Sequence, residues 1–320
     1  DLYASNVGKN RLYRNNGDGT LTDVAKELAV MAPESRSFVP WFFDFDNDGW
    51  LDLFVGAFDA SIGDIAADYL GEDHDGISPR LYRNDGGEFT DIAREAGLDH
   101  PYLPMGANFG DLDNDGYLDI YLTTGDPEYQ TLTPNIMLRN DSGRRYQDVT
   151  TSGGFGHLQK GHGVGFADID NDGDQDIYHQ LGGFYPGDGF HNALFQNPGH
   201  GNHFLVVKLT GVATNRAGYG ARIRVTISTP EGGLATFHRA VGSVSSFGGS
   251  PARQEIGLGK ATGIERVEVD WPISQTTAVI TGVPLDSMIG ITEGKPGFEL
   301  LPYRTLTLKI ERPPARPSVR

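Results

Sequence analysis

An acidic segment of nine residues occurs three times in this chain, and its residue types could hold a metal ion. The copies span 44–52, 111–119 and 168–176, and each has aspartate at positions 1, 3, 5 and 9 with glycine at position 6. Hard divalent cations prefer several oxygen ligands on a sharply turned loop, and calcium fits this spacing best. The pattern therefore predicts three calcium sites.

The spacing also predicts which residues bind the ion. Alternation places the carboxylates of positions 1, 3 and 5 on one side of the backbone, glycine permits the turn, position 7 offers its carbonyl oxygen and position 9 closes the ring. The predicted ligands are Asp44, Asp46, Asp48, Trp50 and Asp52 in the first loop, Asp111, Asp113, Asp115, Tyr117 and Asp119 in the second, and Asp168, Asp170, Asp172, Asp174 and Asp176 in the third.

Two other interpretations of these segments are acidic surface turns and EF-hands. Three copies with identical internal spacing argue against unrelated surface turns. An EF-hand needs a bidentate glutamate at position 12 and flanking helices, but position 12 here holds Val55, Leu122 and His179. The residues after each segment are β-like, so we expect calcium loops carried on strands.

The acidic segments belong to a longer repeat, since their starts are 67 and 57 residues apart. A second recurring pattern, a short apolar stretch followed by an Asn/Gly turn and another short stretch, is typical of a β-hairpin. It occupies 10–24 and 79–92, with weaker copies at 135–149 and 192–197. Several short strands in a repeat of about 60 residues predict a β-propeller with one blade per repeat.

The residues after the repeats predict a different unit. Apolar and polar residues alternate over 222–227 and 267–271, which is typical of half-buried antiparallel strands. We therefore predict repeat blades over 1–198, a β-sandwich domain over 199–293 and an extended tail over 294–320. The tail contains five prolines, at positions 296, 302, 313, 314 and 317.

These segments resemble two known modules. The acidic segments are similar to FG-GAP repeats of the VCBS type, the calcium-loop blades of the integrin α-subunit propeller. The segments 202–211, 215–225, 254–261 and 267–272 resemble the ASPIC/UnbV domain. The pairing is similar to the family that includes cartilage acidic protein and its bacterial relatives. This resemblance implies an all-β chain: a partial integrin-α-like β-propeller formed by C-terminal blades, followed by a β-sandwich.

The first residues match the end of an acidic segment, because Asp1-Leu-Tyr aligns with Asp52-Leu-Phe and Asp119-Ile-Tyr. An incomplete blade leaves unpaired sheet edges. We therefore expect the remainder of a parent chain, or another subunit, to complete the propeller.

Charge is distributed unevenly along the 320 residues. Residues 1–202 hold 12 Lys and Arg against 34 Asp and Glu, whereas residues 203–320 hold 14 against 9. An acidic repeat region argues against nucleic acid or an anionic membrane as a partner. There is no cysteine, so disulfides are excluded, and no apolar run approaches the roughly 20 residues of a membrane-spanning helix.

These observations favour a non-catalytic, calcium-stabilised binding or scaffold protein outside the cytoplasm. We expect a secreted, periplasmic or cell-surface protein of bacterial origin, acting in adhesion or protein–protein interaction. Its propeller loops would engage an extracellular protein, a polysaccharide or a larger complex. The alternative is a propeller enzyme that acts on carbohydrate, and a deep cleft with converging acids, histidines and arginines would favour it.

Histidines are concentrated in 157–203, where a transition-metal site is conceivable. They are His157, His162, His179, His191, His200 and His203. Zinc sites usually need a third ligand and a buried setting, and most of these histidines lie among glycines and turn residues. A supporting role beside the third loop or the domain junction is the favoured interpretation.

Overall fold

The computed structural model describes residues 1–242 and 246–308, and these residues are almost entirely β-structure. Within them the chain forms 23 strands and one helix, α1 (Ile62–Leu70). The helix begins at a capping box formed by Ser61 and Asp64 and ends at Gly71 in the left-handed conformation. No helix in these ranges is long and apolar enough to span a bilayer. The predicted all-β class is confirmed.

The repeat region folds into four antiparallel sheets. Its strands are β1 (Leu2–Ala4), β2 (Val7–Gly8), β3 (Arg11–Asn15), β4 (Leu21–Asp23), β5 (Ser35–Phe43), β6 (Asp52–Ala57), β7 (Arg80–Asn84), β8 (Phe89–Asp91), β9 (Pro104–Gly110), β10 (Asp119–Thr124), β11 (Ile136–Asn140), β12 (Tyr146–Asp148), β13 (Gly161–Ala167), β14 (Asp176–Leu181) and β15 (Ala193–Phe195). The sheet orders are β1-β3-β4, β2-β5-β6-β7-β8, β12-β11-β10-β9 and β13-β14-β15.

Each acidic segment connects two antiparallel neighbours in one sheet: β5 to β6, β9 to β10, and β13 to β14. The strands β5, β9 and β13 lie next to one another, so successive sheets follow each other as blades do. Because the three connections occupy equivalent places in their sheets, the loops meet at one end of the repeat region. Strands flank every loop, as expected.

The described residues beyond the repeat region form two sheets of four strands. Their strands are β16 (His203–Thr210), β17 (Arg222–Ser228), β18 (Leu234–Ala240), β19 (Gln254–Gly259), β20 (Gly263–Trp271), β21 (Thr276–Ile280), β22 (Ser287–Thr292) and β23 (Glu299–Leu301). The orders are β19-β16-β22-β23 and β18-β17-β20-β21. The alternation in β17 is realised in the structure, since Ile223, Val225 and Ile227 are buried in a core shared with Trp271.

A segment between β18 and β19 reaches back to the repeat sheets. Ser246 exchanges two backbone hydrogen bonds with Ala107, at 3.0 and 3.2 Å, and the Phe247 carbonyl accepts one from Val164 at 2.9 Å. The ring of Phe247 lies 5.6 Å from that of Phe38. These contacts join the sandwich to strands β9 and β13, beside the acidic loops.

The described part of the tail also returns to the repeats. Strand β23 pairs with β22, and beyond it Leu306 donates a backbone hydrogen bond to the Asp170 carbonyl at 2.6 Å. Of the tail predicted over 294–320, residues 309–320, with Pro313, Pro314 and Pro317, lie outside the described residues.

Candidate metal centres

Three clusters of carboxylates lie in the acidic loops. In each cluster the oxygens of positions 1, 3 and 5 lie within 4.8 Å of one another. In 1–242 and 246–308, these are the groups of three or more Asp, Glu or His side chains that could hold a metal ion. They are Asp44 with Asp46 and Asp48, Asp111 with Asp113 and Asp115, and Asp168 with Asp170 and Asp172. The turn of each loop therefore brings positions 1, 3 and 5 together.

One hydrogen-bond pattern shapes all three loops. The N–H of the glycine at position 6 donates to the carboxylate of position 1, at 3.0 Å in the first two loops and 2.8 Å in the third. The N–H of position 7 donates to the carboxylate of position 5, at 2.7, 2.9 and 3.0 Å. These bonds turn the loop tightly and hold the carboxylates in place.

The residue at position 4 is an asparagine in every copy, and it takes a left-handed backbone conformation. Its φ is +60° at Asn47, +53° at Asn114 and +55° at Asn171. Asparagine tolerates this region better than most residues, because its short polar side chain can bond locally. The turn therefore depends on position 4 as well as on glycine.

The aspartate at position 9 supports the loop from its strand. In the first loop, Asp52 accepts hydrogen bonds from the N–H of Phe45 at 2.7 Å and of Asn84 at 2.9 Å, one on each oxygen. Asp119 and Asp176 repeat both bonds in their own loops. Position 9 thus has a structural role that the spacing did not predict, while its coordination of an ion stays a prediction.

Position 7 differs among the loops, and so do the surroundings of its side chain. Trp50 is 53% exposed, whereas the ring of Tyr117 packs edge-on against that of Phe237. Asp174 accepts a hydrogen bond from the amide of Asn114 at 2.9 Å. These side chains have different neighbours, and coordination through the carbonyl of position 7 stays a prediction.

Several carboxylate oxygens in the clusters are buried without a partner. They are Oδ1 of Asp44, Asp111, Asp113 and Asp170, none of which accepts a hydrogen bond from any described residue. A buried acceptor without a partner is unfavourable, by about 1–3 kcal/mol. An ion held by positions 1, 3 and 5 would satisfy these oxygens, so the residues present fit a hard cation.

Burial and mutual repulsion raise the pKa of the loop carboxyls. Burial raises the pKa of Asp44 to about 7, and the neighbouring charges of Asp48 and Asp46 add to the effect. Burial likewise raises the pKa of Asp52 to about 8 and of Asp111 to about 7. The loops therefore resist carrying their full negative charge unless a positive charge offsets it.

Asparagine side chains connect each loop to the next. The amide of Asn47 donates to the Gly116 carbonyl at 2.8 Å, and the amide of Asn114 donates to the Gly173 carbonyl at 2.9 Å. A second link comes from Asn140, the last residue of strand β11, which donates to the Phe45 carbonyl beside the first loop at 2.9 Å. Sequence reasoning missed these links, although the recurrence of asparagine at position 4 in all three copies could have revealed them.

The sandwich domain rests directly on the loops. Arg239 donates to the carboxylate of Asp111 at 3.1 Å, and Glu255 accepts from the N–H of Asp168, also at 3.1 Å. A Cβ placed on Gly116 would lie 2.1 Å from the ring of Phe237, so the turn glycine is also needed for this close packing. No pattern in the sequence pointed to Arg239 or Glu255.

The histidines of 157–203 do not form a comparable group of three. His179 is buried, its ring nitrogens have no partner among the described residues, and burial lowers its pKa to about 4. Its ring stacks on Phe195, with centroids 5.4 Å apart. His203 bonds to Asp286 at 2.8 Å, and His162 to the Gly182 carbonyl at 3.1 Å. His157 meets His179 edge-on, with ring centroids 6.1 Å apart, but no third histidine or carboxylate completes a metal-binding group with them among the described residues.

Comparison with known families agrees with the two-part architecture. The FG-GAP-like repeat family matches residues 1–55 and 63–122, and the ASPIC and UnbV family matches residues 211–297. No curated protein matches the chain. The third loop lies outside both matches, and it is related to the first two by its spacing and hydrogen bonds. The chain therefore contains an FG-GAP-like repeat region followed by an ASPIC/UnbV domain.

Proposed function

We propose that this protein is a calcium-stabilised, non-catalytic binding or scaffold protein that works outside the cytoplasm. One observation supports the proposal most directly. In each of the three similar loops, carboxylate oxygens lie close together, and at least one of them is buried without a hydrogen-bond partner among the described residues. Asp44, Asp46 and Asp48 would hold the ion in the first loop, and the equivalent aspartates would do so in the other two. The bound ion supplies the positive charge that these loops need.

Calcium is favoured over magnesium because of the number of oxygens available. Each loop offers three clustered carboxylates on a short backbone turn, and positions 7 and 9 are the predicted source of further oxygens. Calcium takes six to eight oxygen ligands in flexible geometry, whereas magnesium keeps several waters and requires a nearly ideal octahedron. Loops of modest calcium affinity fill where calcium is abundant, which supports a secreted, periplasmic or cell-surface location.

The charged groups between the two domains support a non-catalytic role. A cleft of about 530 Å³ lies there, lined in part by Asp111, Arg239, Arg253 and Glu255. Arg239 pairs with Asp111 of the repeat region at 3.1 Å, Arg253 donates to the Asp168 carbonyl at 2.7 Å, and Glu255 accepts from the N–H of Asp168 at 3.1 Å. These groups hold the domains together, whereas an enzyme acting on carbohydrate would need acids that are free to reach a substrate.

An extracellular protein or polysaccharide is the proposed ligand, and the remainder of the parent chain or another subunit is the proposed structural partner. Among the described residues β1 pairs through one edge, with β3, whereas β6, β10 and β14 pair through both edges. We propose that a strand from the parent chain or another subunit occupies the open edge. Hydrogen exchange at the β1 amides, measured in the assembled protein and in this chain alone, tests this. Equal exchange rates would exclude pairing at this edge.

The calcium role is tested by removing one ligand at a time. Asp46→Ala and Asp113→Ala should lower the melting temperature in millimolar calcium and change it little in excess chelator. Asp18→Ala provides the control, because Asp18 lies in an exposed hairpin turn and its side chain bonds, among the described residues, to Thr20 alone. Calorimetric titration of the unaltered chain should detect about three calcium ions. An equal loss of stability with and without calcium in the Asp46 and Asp113 variants would contradict the proposal.

A further inference from the structure

We propose that Arg239 of the sandwich domain is a positioning residue for the second loop, so that this cation site is complete only when the two domains are docked. The inference rests on the calcium role proposed above. It adds a residue that lies 128 positions from the aspartate it holds. Cation binding at the second loop and docking of the sandwich domain would then stabilise each other.

The contacts of Asp111 carry the argument. Its Oδ2 atom accepts three hydrogen bonds: from the N–H of Gly116 at 3.0 Å, from the N–H of Gly257 at 3.0 Å and from Nη2 of Arg239 at 3.1 Å. Its Oδ1 atom is buried and has no partner among the described residues. Three donors, two of them from the sandwich domain, thus fix Oδ2, and Oδ1 is left to bind the ion.

The sandwich domain is shaped for this contact. A Cβ placed on Gly257, in strand β19, would lie 2.4 Å from Oδ2 of Asp111, so only glycine lets the backbone approach so closely. Arg239, in strand β18, is 5% exposed. Its guanidinium also donates to the Gly116 carbonyl at 3.1 Å, within the same loop. A buried guanidinium needs a carboxylate partner, and the loop supplies it.

The first loop has no equivalent of this arrangement. Oδ2 of Asp44 accepts from the N–H of Gly49 at 3.0 Å, and no described residue of the sandwich domain donates to it. At the third loop, Arg253 donates to the Asp168 carbonyl at 2.7 Å, and the donor to the Asp168 carboxylate from outside the repeat is the neutral hydroxyl of Tyr303. The sandwich domain contacts the first loop at Asn47, which accepts from the N–H of His238 at 3.0 Å, so the first loop is an internal reference for carboxylates that the sandwich does not hold.

The effect of Arg239 has two opposing parts. Its positive charge would disfavour a nearby cation, whereas its hydrogen bond fixes the carboxylate that binds the ion. Loss of a residue that orients a metal ligand typically weakens metal binding by about 10–100-fold. The three donors on a single oxygen favour the orienting effect, so we expect removal of Arg239 to weaken binding.

The test is a calcium titration of the full chain by calorimetry. Arg239→Met should weaken one of the three sites about 10-fold or more and leave two unchanged. Arg239→Lys keeps the charge but not the forked donor, so its calcium affinity at that site should lie between those of Arg239→Met and the unaltered protein. The control is Arg224→Met in strand β17, because Arg224 pairs with Asp270 at 2.5 Å inside the sandwich. It removes the same charge but no hydrogen bond to a loop carboxylate, and all three affinities should persist.

Asp113→Ala identifies the affected site. This variant should bind one calcium ion fewer. Combining it with Arg239→Met should not change the calcium affinities of the two sites that remain. Unchanged or tighter binding in Arg239→Met would overturn the inference while leaving the calcium role intact. Loss of no ion in Asp113→Ala would instead overturn the calcium role itself. Circular dichroism would show whether Arg239→Met unfolds. In that case the Arg239→Lys variant provides the test, and three calcium affinities equal to those of the unaltered protein would reject the positioning role.

Discussion

The side-chain amide of Asn47 donates to the carbonyl oxygen of Gly116 at 2.8 Å, and this bond joins the first acidic loop to the second. The oxygen of the same amide accepts from the N–H of His238 at 3.0 Å, in the sandwich domain. One residue at position 4 therefore links two loops and the second domain. The bond from Asn114 to Gly173 repeats the first of these links.

Two substitutions of Asn47 separate its side-chain bonds from its backbone conformation. Asn47→Gly keeps a residue that accepts the φ of +60° but removes the bonds, and it should cost about 1–3 kcal/mol. Asn47→Ala should cost about 1–2 kcal/mol more, because a Cβ is strained in the left-handed region. Urea unfolding in saturating calcium measures both. Equal stability of Asn47→Ala and the unaltered protein would contradict the linking role.

The raised pKa values of the loop carboxyls predict an inverted pH dependence without calcium. The pKa is about 7 for Asp44 and Asp111 and about 8 for Asp52 in the folded chain, against 3.8 in an ordinary aspartate. The folded state then binds more protons than the unfolded state, so stability falls as pH rises. Calcium-stripped protein should melt at a lower temperature at pH 8 than at pH 5.

Calcium should reverse this trend, because the ion binds the deprotonated carboxylates. Melting curves at several pH values, recorded in calcium-stripped buffer and again in millimolar calcium, check both expectations. A melting temperature that rises from pH 5 to pH 8 without calcium would contradict the raised pKa values of the loop carboxyls in the folded state.

Position 7 of the third loop offers a test of carbonyl coordination. Asp174→Asn keeps the oxygen that accepts from Asn114 and does not alter the backbone carbonyl. Calcium affinity should therefore stay within about twofold if position 7 binds only through its carbonyl. Asp172→Asn, which changes a clustered carboxylate, should weaken the same site clearly. A large loss in Asp174→Asn, measured by calorimetry, would show that its side chain takes part.

A buried ion pair away from the loops should make a large contribution to stability. Nζ of Lys160 lies 2.7 Å from Oδ2 of Asp188, and the side chains are 1% and 8% exposed. Lys160→Met leaves the aspartate buried without its partner and should cost about 3–5 kcal/mol. The double variant Lys160→Met/Asp188→Leu should be less destabilised than the single one.

The exposed pair of Lys9 and Glu34 is the control for this measurement, since its side chains are 55% and 60% exposed. Lys9→Met should change stability by about 0–1 kcal/mol. Urea unfolding of the three variants gives the comparison. Similar losses in Lys160→Met and Lys9→Met would show that burial does not strengthen the inner pair.

The sequence by itself determined the acidic loops, because their clusters arise within a few residues. Asp44, Asp46 and Asp48 come together through one turn of the backbone, and the same spacing produces the same cluster twice more. The period-two pattern in 222–227 likewise places Ile223, Val225 and Ile227 in the core, since side chains alternate along any strand. The asparagine at position 4 was visible in all three copies, but its partner was not.

Only the tertiary structure decided what surrounds the loops. Arg239 looks like an ordinary polar residue of an alternating strand, yet it lies against Asp111 because the sandwich docks on the repeat sheets. Phe237 similarly meets Gly116. Such contacts join residues more than a hundred positions apart and depend on how two independently patterned units pack. No local periodicity records them, so they emerge only when the domains are placed together.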